Sequence, residues 1–399
     1  MTVWRAIGVI VLAVVLSPLP AAAIDLNQWV PGLKTTVFVS ERAEYETNIF
    51  QVNSGAQDDV IFRTIPGFLA TYERGPVLGS LGYRLEFLNF LELTRQDEVH
   101  HLGAINLGTK FTRLRTNLLG SLAITSDPAT TELTGRTNST TITAAPAVDY
   151  LLTSRLGVGA NYGYTYVRFE NRAAALDRDS HLFGGSAFWN FLPKAELRVG
   201  YGYGFSEFVR EGSRRRQLPD RDFDRHHVYG SVSGDLTPKL SSTFRVGYEV
   251  RDYHREPVSD EGSFIVGGDW TYRATDRTRI SLITSKGFEE SIFGQTGQTV
   301  LFETTSAVLL AEQQIGSKIR ANARISGVLN DYPRKDITVR QQQPKFREDV
   351  ILGWGAGIDY DIQRWLSVGA EYSHTRRDST FDEFSYKDDK FTAKVTLQF

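Results

Sequence analysis

Residues Ala195–Phe208 read A-E-L-R-V-G-Y-G-Y-G-F-S-E-F. Ala195, Leu197, Val199, Tyr201, Tyr203 and Phe205 share one parity; Glu196, Arg198, Gly200, Gly202, Gly204 and Ser206 share the other. A β-strand sends successive side chains to opposite faces. One face of this strand is therefore continuously apolar and ends in aromatics, while the other is charged or bare. In a soluble sandwich the apolar face would be core. Here nearly the whole chain repeats the pattern, and no helix-period segment is available to cover the sheets. An antiparallel sheet with one uncovered apolar face points to lipid as the cover.

Working outward from that strand, eighteen such segments can be read, from 34–45 to 390–399. Short polar turns, such as 73–76, 192–194, 237–239 and 363–364, follow the even-numbered segments. Longer links follow the odd-numbered ones, the clearest at 46–58, 126–138, 210–225, 332–347 and 376–389. Alternating tight turns and long loops mark an outer-membrane barrel, with the turns periplasmic and the loops outside. Roughly 20 residues per strand accommodate ~9–11 membrane residues plus half a turn and half a loop. The fold class expected is all-β: a transmembrane up-and-down antiparallel β-barrel of eighteen strands, with sixteen as the alternative. Both termini are expected in the periplasm.

Composition agrees. Aromatics make up 12% and glycine 35 residues, the net charge of −2 selects no polyanionic partner, and cysteine is absent. Without cysteine there is neither a disulfide framework nor a residue to acylate. Residues 1–23 have a charged start, a short apolar core and a small-residue end at Ala21–Ala23, which reads as a signal peptide. The expected organisation is a signal peptide (1–23), a periplasmic N-terminal segment (24–33) and the outer-membrane barrel (34–399), in a Gram-negative bacterium. The last segment alternates Phe391, Ala393, Val395, Leu397 and Phe399 with polar residues. A terminal aromatic on such a strand resembles the signal read by the barrel assembly machinery, so Phe399 is assigned that role.

Parity also assigns the lumen. Arg84, Glu86, Lys110, Glu196, Arg198, Arg245, Glu249, Arg279, Arg320, Asn322, Arg324 and Glu371 are expected to line it. A barrel of ~16–18 strands leaves an aqueous channel. Such a wall would pass polar solute, and its charges would also pair with one another and stiffen it. Arg210, Arg214, Arg215 and Arg216, with Arg221 and Arg225 nearby, form a basic stretch in a long outer loop, suited to anionic glycan or lipopolysaccharide phosphate. His100–His101 and His226–His227 fall near the outer rim without the further ligands a metal would need. No nucleophile, base and orienter occur at recognisable spacing. The expectation is a non-enzyme with no catalytic set, no metal, no cofactor and no nucleic-acid partner.

Three short stretches carry a family resemblance: E-Y-E-T-N-I-F at 44–50, D-V-I-F-R-T-I-P-G at 59–67 and Y-R-L-E at 83–86. They are similar to the opening strands of the putative β-barrel porin type 2 family, outer-membrane barrels of exopolysaccharide operons. The family's Tyr-Asp is Tyr45-Glu46 in this chain. The resemblance implies export of a secreted polysaccharide, with periplasmic polysaccharide-export proteins as partners beside outer-membrane lipid and lipopolysaccharide. The alternative is a general diffusion or small-solute porin, which an infolded constriction loop would favour. A structural or adhesive barrel without a through-path is the third possibility.

Overall fold

The computed structural model describes residues 30–128, 130–132, 135–170, 175–209, 221–254, 260–292, 301–336 and 345–399. The expected signal peptide and the basic stretch Arg210–Arg216 lie outside the described residues. The strands are β1 (Leu33–Glu46), β2 (Asp59–Arg74), β3 (Val77–Phe90), β4 (Glu98–Lys110), β5 (Leu114–Thr125), β6 (Ser139–Leu151), β7 (Leu156–Phe169), β8 (Arg178–Leu192) and β9 (Ala195–Phe208). They continue as β10 (Phe223–Asp235), β11 (Leu240–Tyr253), β12 (Glu261–Thr275), β13 (Thr278–Glu290), β14 (Leu301–Ile315), β15 (Ile319–Asp336), β16 (Lys345–Gln363), β17 (Leu366–Ser379) and β18 (Tyr386–Gln398). Each pairs antiparallel with its sequence neighbours, and β1 pairs with β18 from Phe38–Gln398 to Glu46–Lys390. Phe399 exchanges backbone hydrogen bonds with Val37, so the terminal aromatic sits in the closing seam. Closure leaves no strand edge unpaired in lipid. The sheet is therefore an eighteen-stranded barrel, as the alternation of turns and loops predicts.

Three links are shorter than expected because their strands continue past the membrane band. β10 begins at Phe223, β15 runs to Asp336 with β16 starting at Lys345, and β17–β18 leave only 380–385 between them. Ladder hydrogen bonds are as useful in water as in lipid, so a strand need not stop where the apolar pattern does. At the other end the turns are tight. Gly75 adopts φ +59° ahead of Pro76, a left-handed conformation that glycine enters at little cost.

The opening stretch shows the alternation at work. Val199 and Tyr201 are exposed on the outer wall. On the inner wall the bare glycines seat rings from the next strand: a Cβ on Gly200 would lie 2.5 Å from the Tyr229 ring, and one on Gly202 2.1 Å from that of His227. The glycines on the polar face are there for cross-strand packing.

Buried apolar residues gather inside the outer ends of the strands. One group is Phe208, Phe223, Tyr253 and Leu301 with Phe288; a second is Val167, Phe169 and Leu176 with Ile292; a third is Ile49, Ile61, Leu88 and Phe90 with Phe50 and Leu93. Further towards the periplasm the inner wall is mostly polar, with the rings of Phe188 and Tyr229 lying under Arg198 and Arg245. The barrel is thus narrowed from its outer end.

Candidate functional site

The link between β5 and β6, described at 126–128, 130–132 and 135–138, turns into the lumen. Its base is fixed to β4, where the ring of His100, 1% exposed, shares a 2.9 Å hydrogen bond with the Ser126 hydroxyl. Arg136 donates to the same hydroxyl at 2.6 Å and pairs with Asp127 at 3.1 Å. Its tip reaches the far wall. Arg377 on β17 donates to the Thr131 carbonyl at 3.0 Å, and Asn330 on β15 donates to the Thr131 hydroxyl at 2.9 Å. Glu132 accepts from the Ser291 hydroxyl at 2.9 Å and from the Ile292 N–H at 2.6 Å, and lies 3.5 Å from Arg347 on β16. In a ring of eighteen, β15 stands nine strands from β6, the opposite position. The segment therefore spans the lumen.

Glu132 is 1% exposed. Burial pushes its carboxyl above the usual carboxylate range, against the lowering effect of Arg347 and the Ile292 and Ser291 hydrogen bonds. Around it, Asp349 joins Arg347 at 2.9 Å to Arg377 at 2.6 Å. A buried carboxyl with a guanidinium and two donors around it has its polar atoms satisfied, the form in which proteins tolerate burial.

A second element leans inward beside it. β12 and β13 stop pairing at Val266–Lys286, so Gly287–Glu290 is held by β14 alone. Glu290 then pairs with the lumen-facing Arg251 of β11, which also donates to Glu249 at 2.8 Å. Arg221, just ahead of β10, is buried and donates to the Ser291 carbonyl at 2.8 Å. Arg221 and Arg225, which follow the basic stretch in sequence, turn inward towards carboxylates on β13 and β11, Arg221 lying 3.8 Å from Glu290 and Arg225 3.9 Å from Glu249.

The sequence-assigned lumen residues do not converge on one spot. Towards the outer end, Glu86 accepts from Arg63 at 2.7 Å and Arg84 at 2.8 Å, and Glu249 belongs to the Arg251 network. Lower down, Arg198 bonds Asp149 at 2.8 Å and Glu196 at 2.9 Å. Lys110 closes the periplasmic end of β4 opposite Arg115, which approaches Glu196 at 3.6 Å. Arg279 pairs with Glu312 at 3.5 Å and Arg320 with Asp361 at 2.6 Å. These two arginines and Asn322 border a wide basin at the periplasmic mouth. Arg245 stacks over the Tyr229 ring at 4.5 Å, Arg324 is exposed beside Gly355, and Glu371 is exposed between Gly357 and Thr392. Arg178, Arg347 and Arg377 lie on strand extensions beyond the segments read from the sequence, whereas Arg63 lies inside the second segment with inward parity and was passed over. The same period carried further along each strand would have included the first three.

On the outward face a belt of polar pairs rings the outer ends. Tyr83 meets His101, Tyr162 meets His181 and Tyr201 meets His226, each at 2.7 Å, while Asp389 takes Tyr372 at 2.6 Å and His374 at 2.8 Å. This is an interfacial girdle whose polar tips satisfy one another. Among the described residues no group of three or more metal-ligating side chains occurs.

Comparison with known proteins extends the resemblance seen near the N-terminus. The model of the family described as "Putative beta-barrel porin 2" matches residues 210–399. No curated protein matches the chain in sequence. Among solved structures, the outer membrane protein opdK of Pseudomonas aeruginosa is 13% identical, with a TM-score of 0.46, covering 92% of this chain and 99% of its own. Acinetobacter baumannii OccAB3 is 12% identical at 0.44, covering 92% and 99%, and P. aeruginosa OccK11 (OpdR) is 12% identical at 0.44, covering 92% and 96%. A closed eighteen-stranded barrel with an apolar outer wall, matched over its C-terminal part by that family, is a barrel of the outer membrane.

Proposed function

We propose that this barrel is a small-solute porin. The observation that carries the reading is the segment 126–138, anchored by His100 on one wall and by Arg347, Arg377 and Asn330 on the other. Eighteen strands alone would leave a wide aqueous bore. A clasped cross-lumen segment divides that bore, so a solute must fit beside it. A polysaccharide would have to thread the same gap unit after unit, with its hydroxyls exchanging partners along a buried network of arginines and carboxylates. Tight multi-site contact of that kind stalls a sliding chain. The infolded segment thus favours small-solute passage over the export of exopolysaccharide that the family resemblance implies. In this reading, periplasmic polysaccharide-export partners are not required, and the assembly machinery would still read the strand ending in Phe399.

The test is size exclusion. Purified barrel in liposomes should pass glucose and reject linear oligosaccharides of more than a few units. Glu132→Ala combined with Thr131→Gly should raise the size limit by freeing the clasp. Passage of long glucans by the unaltered barrel would sink the reading in favour of export. Absence of any solute flux would favour a barrel with no through-path.

A further inference from the structure

Between the infolded elements and the β7–β11 wall lies a cavity of about 360 Å³. Its floor is the lumen face of four consecutive strands, with Thr165 on β7, Ser180 on β8, Ser206 on β9 and Phe223 on β10. Its roof is Thr130 from the cross-lumen segment and Phe288–Glu290 from the inward-leaning end of β13. We infer that it binds a small hydroxylated carboxylate, a sugar acid in size and chemistry. The inference rests on the small-solute reading, because such a ligand reaches the cavity only along the lumen.

Charge argues for the anion. The lining holds Arg178, Arg225 and Arg251 against Glu289 and Glu290. Behind it, Arg221 and Glu249 offset one another, so a single positive charge is left over. Arg251 is spent on Glu249 and Glu290. The other two guanidiniums are not. Arg178 makes one hydrogen bond, to the Leu176 carbonyl at 3.1 Å, and feels Glu290 and Glu289 only from beyond ion-pair contact; Arg225 reaches Glu249 at 3.9 Å and feels Glu290 from farther off. A guanidinium presents a planar fork that matches a carboxylate, and an unspent fork in a confined place is the recognised partner for one.

The rest of the lining argues for hydroxyls. One carboxylate oxygen of Glu289 is buried without a hydrogen-bond partner. It would repel a bare anion but accept a bond from a hydroxyl on the ligand's body. Ser180 and Ser206 hold each other at 2.8 Å, and the Thr165 hydroxyl lines the cavity beside them. The volume lies near the lower bound of small-molecule sites, ~300 Å³, which suits about one hexose-sized acid.

Calorimetric titration of the detergent-solubilised barrel with gluconate tests this. The expected result is a saturable heat with gluconate, none with glucose, and binding about tenfold weaker for hexanoate, which has the charge without the hydroxyls. Arg178→Gln and Arg225→Gln should each weaken gluconate about tenfold, the loss of one charge-assisted contact. Glu289→Leu, which removes the acceptor, should erase the advantage of gluconate over hexanoate. Heat-modifiable migration reports whether each variant is folded, and Arg225→Lys, which keeps the charge but not the fork, serves if the glutamine variant is not. No saturable heat with gluconate, or equal heat in the folded Arg178 and Arg225 variants, would overturn the site. Glucose flux into liposomes reports the channel separately, so its failure and that of the site are read in different experiments.

Discussion

At Val246 and Arg245 two neighbouring side chains meet opposite solvents. Val246 is 44% exposed on the outer wall, while Arg245 lies on the inner wall over the Tyr229 ring, with no carboxylate paired to it among the described residues. Val246→Arg should impair insertion by about 2–4 kcal/mol if it sits at the midplane. Arg245→Gln should insert normally, because it strands no opposite charge. Refolding yield into lipid vesicles separates them, and equal damage would show that the faces are reversed. Arg198 would make a poorer control. It faces the lumen as the alternation requires, yet it bonds Asp149, Glu196 and Ser186 at 2.8–2.9 Å. Its removal leaves a partly buried carboxylate without its donor, a cost of roughly 1–3 kcal/mol. Parity tells which solvent a side chain meets and is silent on whether it is already spoken for.

Among the elements, the strands were legible and the infolding was not. A period of two survives in every strand because lipid on one side and water on the other impose it residue by residue, as in Leu81, Tyr83 and Leu85 against Arg84 and Glu86. The segment 126–138 reads only as one polar link among several. What draws it inward is distant: Arg347 and Arg377 lie more than two hundred residues away in sequence, and nothing local marks Glu132 as their partner. The clasp should respond to pH. Because burial raises the Glu132 carboxyl, the docked state holds a proton more tightly than the undocked state. Docking is therefore fully favoured below the ordinary carboxylate range and weakens as pH rises through the raised value. Single-channel recordings should show quiet current in acid and growing fluctuation towards neutral pH. Glu132→Gln, which mimics the protonated form, should stay quiet throughout. Fluctuation in that variant that rises with pH as in the parent would assign the effect to another group.

For the molecule as a whole, the question is which of its many lumen charges an ion in transit feels. A guanidinium bonded to a carboxylate presents a dipole whose field falls within a few ångströms, whereas an unpaired one acts over a Debye length, about 8–10 Å near physiological salt. Arg320 with Asp361 and Arg279 with Glu312 are of the first kind. Arg245 and Arg324 are of the second and stand on strands β11 and β15, on either side of the β12–β14 wall. The barrel should accordingly prefer anions modestly, and the preference should fade as salt rises. Removing Arg320 alone would mislead, since it exposes Asp361 and shifts the local charge as far as removing a free arginine. The informative comparison neutralises whole units. Arg245→Gln with Arg324→Gln should move the zero-current potential in a salt gradient towards zero, while Arg320→Gln with Asp361→Asn should leave it where it was. If the first pair changes nothing, the free arginines do not set selectivity. If the second pair changes it as much as the first, pairing does not silence a charge in this lumen.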